Sequence, residues 1–241
     1  MTADRVNVAG VDLSGRTVGV TAVAALQGHV DERPHVVALD ARTHLRDDRK
    51  LPGVLHELRP TVVALDAPLD LPHAVVCTND ACPRCFPPDG SVPVVAGRRL
   101  ESATGWTATA HVGRPPMPLA MLAGIAFRGI YLARSLRRDG LDVIETWPMG
   151  VYRRILSLSG PTEFEDGGDA WRRQLVSRVV RGIDDHCLAG STSERDQLDA
   201  VAAAFAAWCF ATDRHELIDG GCEDEGAVVI PSLKAITTAS G

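Results

Sequence analysis

Two patterns of apolar positions alternate along the chain: short runs that stop at an acid or a turn, and longer stretches with an apolar residue every three or four positions. Val6 to Val11 is a largely apolar run that ends at Asp12 and is followed by Ser14-Gly15, the pattern of a buried strand leaving into a turn. Thr17 to Leu26, rich in Val, Thr and Ala, predicts a hairpin partner for that strand, and His35 to Leu39 predicts a third. Leu51 to Leu58 carries Pro52 near its start and predicts a short helix, because the missing proline N–H is no loss in a first turn. Thr61 to Leu65 is apolar enough for a central strand, and it delivers Asp66 and then Pro68 at its end.

In the second half, Pro118 to Arg138 has no internal proline and closes on Arg137, Arg138 and Gly140, which together predict a helix C-terminus. Leu141 to Thr146 predicts a strand carrying Glu145 and stopped by Pro148, after which Val151 to Leu158 starts a helix bearing Arg153 and Arg154. Trp171, Leu175, Val179, Ile183 and Cys187 recur every fourth residue and predict one amphipathic helix, with Arg172, Arg173, Arg178 and Arg181 on a solvated face. A last long helix is expected from Glu194 to Ala211. Ser193 is its expected N-cap, its apolar face is Leu198, Val201, Ala202, Phe205 and Cys209, and Asp196 and Asp199 lie just beside that face. Ala227 to Ile230 predicts a terminal strand or extended edge. Hairpin-linked strands followed by crossover helices imply a mixed α/β sheet, three antiparallel strands and then parallel ones, with helices on both faces. That order is the ribonuclease H-like core.

Composition adds limits to this picture. A chain of 241 residues with 45% hydrophobic and 23% charged positions predicts one folded domain over 1–241, carrying a Cys-rich insertion at about 70–117, and excludes wholesale disorder. The net charge of -6 excludes a uniformly basic nucleic-acid coat and leaves room for a local basic groove. The N-terminus lacks a basic segment followed by a long apolar one, and no stretch offers 18 uninterrupted apolar residues, so the expectation is a cytoplasmic chain without a membrane partner. A homo-oligomer stays open.

The acids change the picture most. Asp12, Asp66 and Glu145 each stand at a strand end, and Asp196 and Asp199, three residues apart, share one side of the last helix. Acids converging on one end of a sheet repel one another unless a cation counters them, and hard oxygen ligands select Mg²⁺ or Mn²⁺. Two such ions about 3.5 to 4 Å apart activate a water and stabilise the leaving oxygen of a phosphodiester. Each acid also has a purely structural alternative. Asp12 and Asp66 fit turns, Glu145 fits an ion pair with Arg153 or Arg154, and Asp196 fits a favourable charge on the helix dipole. Asp199, nearer the apolar face, is the better ligand of its pair.

A second constellation lies in HAVVCTNDACPRC: His73, Cys77, Cys82 and Cys85. Four soft ligands within one short segment can close a tetrahedral, structural Zn²⁺ site, which leaves no open position for a substrate and would pin a long loop beside Asp66. Arg98, Arg99, Trp106, His111 and Arg114, farther along the insertion, read as ordinary loop residues.

The segments VAGVDLSG at 8–15, VVALDAPLDLP at 62–72, VIETWPMGVYRRIL at 143–156, RDQLDAVAAAF at 195–205 and GAVVIP at 226–231 resemble the family with domain of unknown function 429, predicted nucleases of ribonuclease H-like fold. The resemblance spans nearly the whole chain. It implies a metal-dependent nuclease acting on DNA or RNA, with Asp12, Asp66, Glu145 and the Asp196/Asp199 pair as catalytic and metal-holding acids. Within the wider superfamily the pattern looks most like the Holliday-junction resolvase branch, whose final helix also supplies acids three apart. Two other classes compete. One is a non-catalytic binding module of the same fold that uses the zinc-pinned insertion. The other is an ATP-using phosphotransferase of the actin and sugar-kinase type, drawing on Asp12-Leu-Ser-Gly as a phosphate turn and weakened by the lack of a duplicated domain or Gly-rich adenosine site.

Overall fold

β1 (Arg5–Asp12) takes up the first apolar run and extends one residue past it, so that Asp12 is its last residue. The structure is a computed structural model that describes residues 5–14, 20–41, 47–85, 88, 123–160, 162–164, 166–187, 189–218, 226–232 and 234–235. β2 (Ala22–His29) pairs antiparallel with β1, and β3 (His35–Ala41) pairs antiparallel with β2. α1 (Leu51–Leu58) then crosses to β4 (Val62–Asp66), which runs parallel to β1 on its other side. β5 (Asp142–Thr146) adds parallel to β4 and β7 (Val228–Pro231) parallel to β5, while β6 (His215–Ile218) closes the edge antiparallel to β7. The sheet order is β3-β2-β1-β4-β5-β7-β6. This is the mixed, ribonuclease H-like sheet that the element order predicts, three antiparallel strands followed by parallel ones. β6 has no counterpart in the sequence reading, because HELI is short and half polar.

Helices cover both faces. The larger core lies on one side of the sheet: Tyr152 and Ile155 come from α4 (Pro148–Ser159), Trp171 and Leu175 from α5 (Asp169–Val176), and Leu198 and Phe205 from α7 (Glu194–Ala211). The smaller core, on the other face, joins Leu51 and Leu55 of α1 to Leu132 and Leu136 of α3 (Ala123–Arg138). α2 (His73–Val76) is a single turn in the chain leaving β4. Nearly all of α7 from Leu198 to Cys209 is buried, since it lies across β1, β2 and β4 rather than on the surface. Among the described residues no helix is long and apolar enough to cross a membrane.

The close seat of α7 on β1 rests on one residue. A Cβ at Gly10 would stand 2.1 Å from the Ala204 nitrogen and 2.3 Å from the Ala200 oxygen, both backbone atoms. Only glycine allows that approach. The helix runs back along β1 from there, which carries its N-terminal acids toward the end of the strand where Asp12 stands.

Two expectations need correction. The stripe Trp171, Leu175, Val179, Ile183 and Cys187 is buried throughout, but it does not lie on one helix. α5 ends at Val176, and α6 (Ile183–His186) begins only after Gly182, which has a left-handed φ of 75°. Between them the chain pairs with the start of β3: the Arg181 N–H donates to the Pro34 carbonyl and the Val36 N–H to the Arg181 carbonyl. A tertiary ladder thus outweighs helix continuation. Three of the four arginines of this segment are also not a solvated face, while Arg181 stays exposed: Arg172 is buried, Arg173 bridges Glu194 and Asp184, and Arg178 donates to Ser159 and Gly160. At the start of α7, Ser193 flanks the helix without a side-chain cap, and the Glu194 carboxylate accepts the Gly190 N–H. Arg98, Arg99, Trp106, His111 and Arg114 lie outside the described residues, as do positions 118–122 of the helix expected over 118–138.

Candidate metal centre

Register places the strand acids. In the parallel β1–β4 ladder Asp12 pairs with Asp66, so the two carboxylates leave the sheet side by side on one face. Val8 and Ala64, on the same faces of the same strands, lie in the core beneath α7. The Gly10 contact brings the first turns of α7 over this end, adding Asp196 and Asp199.

The electrostatics show that the four carboxylates meet. Asp12 has its pKa pushed well above the usual carboxylate range, first by burial and then by Asp66, Asp199 and Asp196, and its carboxyl donates a hydrogen bond to Asp196. Asp66 is pushed up in the same way, by burial and then by Asp199 and Glu145. Burial raises Asp196 despite that hydrogen bond and despite the positive charge of Arg195. Asp199 is raised to about 6, burial outweighing the opposing pull of Arg172 and of Tyr152. Burial is the first cause at all four, and the neighbouring carboxylates add to it most at Asp12 and Asp66.

Around the acids stand two residues that the sequence reading left out. Arg172 donates from Nε to Asp199 at 3.1 Å, and its guanidinium lies 5.8 Å from the centroid of the Tyr152 ring. The fully buried Tyr152 hydroxyl forms no well-shaped hydrogen bond, yet it faces Asp199 closely enough that the two shift one another. Tyr152 is further fixed by the Trp171 ring, 5.6 Å away between centroids. Farther along the same strand end, buried Arg128 donates to the Ser14 carbonyl and the Thr21 hydroxyl, both at 2.9 Å, tying α3 to the chain that leaves Asp12. Arg172 was hidden by the expected stripe, which assigned it to solvent; the tyrosine sits in VYRRIL with no spacing signal of its own.

Glu145 is placed differently from the other acids. It pairs with Leu65, one residue short of the Asp12–Asp66 row, so strand alternation turns its side chain to the opposite face. It is buried and accepts the Leu69 N–H at 2.8 Å. Glu145 lines a recess with Asp70, Arg137 and Phe210, and remains within electrostatic reach of Asp66. The arginines proposed as its partners have others: Arg154 pairs with Glu216 at 2.5 Å and Arg153 with Asp166 at 4.0 Å.

No protein-family model matches this chain, and no curated protein matches it. Solved structures do. The T. thermophilus RuvC, solved in complex with Holliday junction substrate, is 12% identical with a TM-score of 0.44, over 85% of this chain and 95% of that one. The yeast mitochondrial Holliday junction resolvase Ydc2 is 10% identical with a TM-score of 0.46, over 86% of this chain and 80% of that one.

His73, Cys77, Cys82 and Cys85 also come together. Among the described residues they are the one group of three or more such side chains whose ligand atoms all lie within 4.8 Å of one another. The Cys82 thiol is lowered to about 6, first by a hydrogen bond with His73 and then by the N–H groups of Cys85 and Arg84.

Proposed function

We propose that this chain is a metal-dependent nuclease that hydrolyses phosphodiester bonds in DNA or RNA, using Mg²⁺ or Mn²⁺ held at the end of β1 and β4. The observation that supports it most is the meeting of Asp12, Asp66, Asp196 and Asp199, two from strands and two from a helix, in a half-buried place where Arg172 pairs with Asp199 and carboxylates crowd Asp12 and Asp66. Asp12 and Asp66 would hold metal from the sheet, and Asp199 with Asp196 from the helix. Such ions, when bound, supply positive charge for the phosphate oxygens and lower the pKa of a water.

The chain's own residues do the rest. Arg172 holds Asp199 in one orientation, being itself buried and so acting on the carboxylate rather than on a substrate. Tyr152 fills the space behind Asp199 and excludes water from it. Arg195, largely exposed beside Asp196, is placed to meet a phosphate, although here it pairs with Asp169 at 3.3 Å. Glu145 sits at the margin, where it steadies Leu69 and adds negative charge for Asp66. Membership of the family with domain of unknown function 429 is part of this proposal and rests on the short segments that resemble it.

The test is cleavage of a panel of fluorescent DNA and RNA substrates, branched ones included, with Mg²⁺ or Mn²⁺. Wild type is expected to cut at least one member only with metal present, and Asp12→Asn and Asp199→Asn to lose at least about 100-fold of that rate. If the folded wild type cuts nothing, or the variants cut equally well, the nuclease reading fails and the non-catalytic binding module replaces it.

A further inference from the structure

The segment leaving β4 has a problem of stability that its own side chains do not solve. Between His73 and Cys85 the buried residues, among those described, are Cys82 and Cys85 alone, while Val75 and Val76 are about half exposed at 56% and 50%. An excursion this poor in apolar burial has no hydrophobic core to hold it. Yet it keeps a defined path: α2 makes a single turn, the Cys77 N–H donates back to the His73 carbonyl at 2.9 Å, and the Cys82 and Cys85 N–H groups donate to Asn79 and Cys82 carbonyls at 3.0 and 3.1 Å. These turns aim one imidazole and three sulfurs at a common point.

We propose that His73, Cys77, Cys82 and Cys85 bind one Zn²⁺ as a closed structural site, and that this ion serves as the missing core of the chain leaving β4. The dimensions agree with it. With Zn–S near 2.3 Å and Zn–N near 2.0 to 2.1 Å, a tetrahedron has N···S edges of about 3.6 Å and S···S edges of about 3.8 Å. The His73 Nε2 to Cys82 Sγ separation is 3.5 Å, and all four ligand atoms already lie within 4.8 Å of one another. Closure therefore needs movements of about an ångström at most in the longest separations. The peptide N–H groups of Cys85 and Arg84 turn to the Cys82 sulfur, the outer-shell support that a metal-bound thiolate uses. Three thiols and one imidazole select a soft, four-coordinate ion, which separates this site by chemistry from the carboxylates at the sheet end.

The alternative use of these thiols is a disulfide, and it fits worse. One bond between two of the three sulfurs leaves the third and the imidazole without a role, and the cysteines are free in this structure. With four protein ligands the ion has no open position, so its effect is on structure. That structure matters because the segment starts just after Leu69, whose N–H holds the Glu145 carboxylate. The proposal does not depend on the nuclease reading.

Metal content and Co²⁺ substitution on the full-length, fully reduced chain test it. The expected result is about one zinc per chain after gel filtration, and thiolate-to-cobalt charge-transfer absorption with tetrahedral visible bands on Co²⁺ loading. Both should vanish in Cys82→Ser/Cys85→Ser and persist in Asp199→Asn and Cys187→Ser. Zinc removal should speed proteolysis between residues 70 and 85 while the circular dichroism of the core stays unchanged. Absence of the charge-transfer band from folded, reduced wild type overturns the site, as does its survival in the double variant or the finding of a stable disulfide among the three cysteines. Unchanged proteolysis on zinc removal overturns the structural role.

Discussion

The two clusters of potential ligands in this protein are built in opposite ways. The carboxylates at the sheet end are carried by β1, β4 and α7, elements locked together by a core with buried side chains on every side and by a glycine that lets backbone touch backbone. The thiols and imidazole after β4 are carried by one helical turn and a string of exposed residues. The first cluster is held in place by the packing of these elements. The second is nearly closed upon itself and has little but its ligands to hold it. A site meant for chemistry needs a rigid frame and vacant coordination, whereas a structural site can be both frame and ligand at once.

The largest effect should come from breaking the frame of the first cluster. Gly10→Ala puts a methyl into the backbone of α7, and overpacking of this kind is expected to cost about 3 kcal/mol or more, visible as a large drop in the denaturant midpoint. If the variant still folds, it should lose divalent-ion binding at the acids while keeping zinc at the thiols. Equal loss of both would show that the two regions are not independent.

A smaller effect, of opposite sign, follows from the burial and crowding of these acids. Asp199 titrates at about 6 when folded against an ordinary 3.8, so the folded state binds more protons than the unfolded state between those values. The stability of the metal-free protein is therefore fullest below about pH 4 with respect to this group and falls as pH rises through about 6, by on the order of 3 kcal/mol. Asp12 and Asp66 shift in the same direction and extend the loss upward in pH. Asp66→Asn should therefore stabilise metal-free protein at pH 7.5 by about 1 kcal/mol, seen as a higher melting temperature, while it weakens ion binding. A lower melting temperature in that variant would contradict the charge account.

How far the sequence revealed these two regions differs as well. The ends of β1, β4 and β5 were legible because each of those apolar runs closes on or beside an acid, whereas the expected Thr17 to Leu26 strand lies at Ala22–His29; the run from Glu194 to Ala211 showed its own helix and its acid pair. The thiol cluster was legible from spacing alone, since all of its members lie within one short segment. What lay beyond reach were facts set by tertiary pairing. The break in the 171–187 stripe depends on β3 capturing Arg181, and Arg172 changes from a surface charge to the partner of Asp199 through the packing of α5 on α7. The face on which Glu145 emerges depends on the β4–β5 register, which no local pattern encodes.

That last residue gives the smallest predicted effect and links the two regions. Glu145→Gln keeps an acceptor for the Leu69 N–H, so stability should change by less than about 1 kcal/mol. Ion binding at the acids should weaken less than in Asp66→Asn, as measured by titration calorimetry with Mg²⁺. A loss as large as that in Asp66→Asn would place Glu145 among the ligands and overrule the register argument.

The most direct test of the central claim needs no substrate: electron paramagnetic resonance of Mn²⁺ titrated into zinc-loaded wild type, Asp12→Asn and Asp199→Asn at pH 7.5. The account predicts saturable loss of the free Mn²⁺ signal in wild type, weakened at least about tenfold in each variant. Folded wild type that leaves the free signal unchanged, or variants that bind as well as wild type, would contradict it.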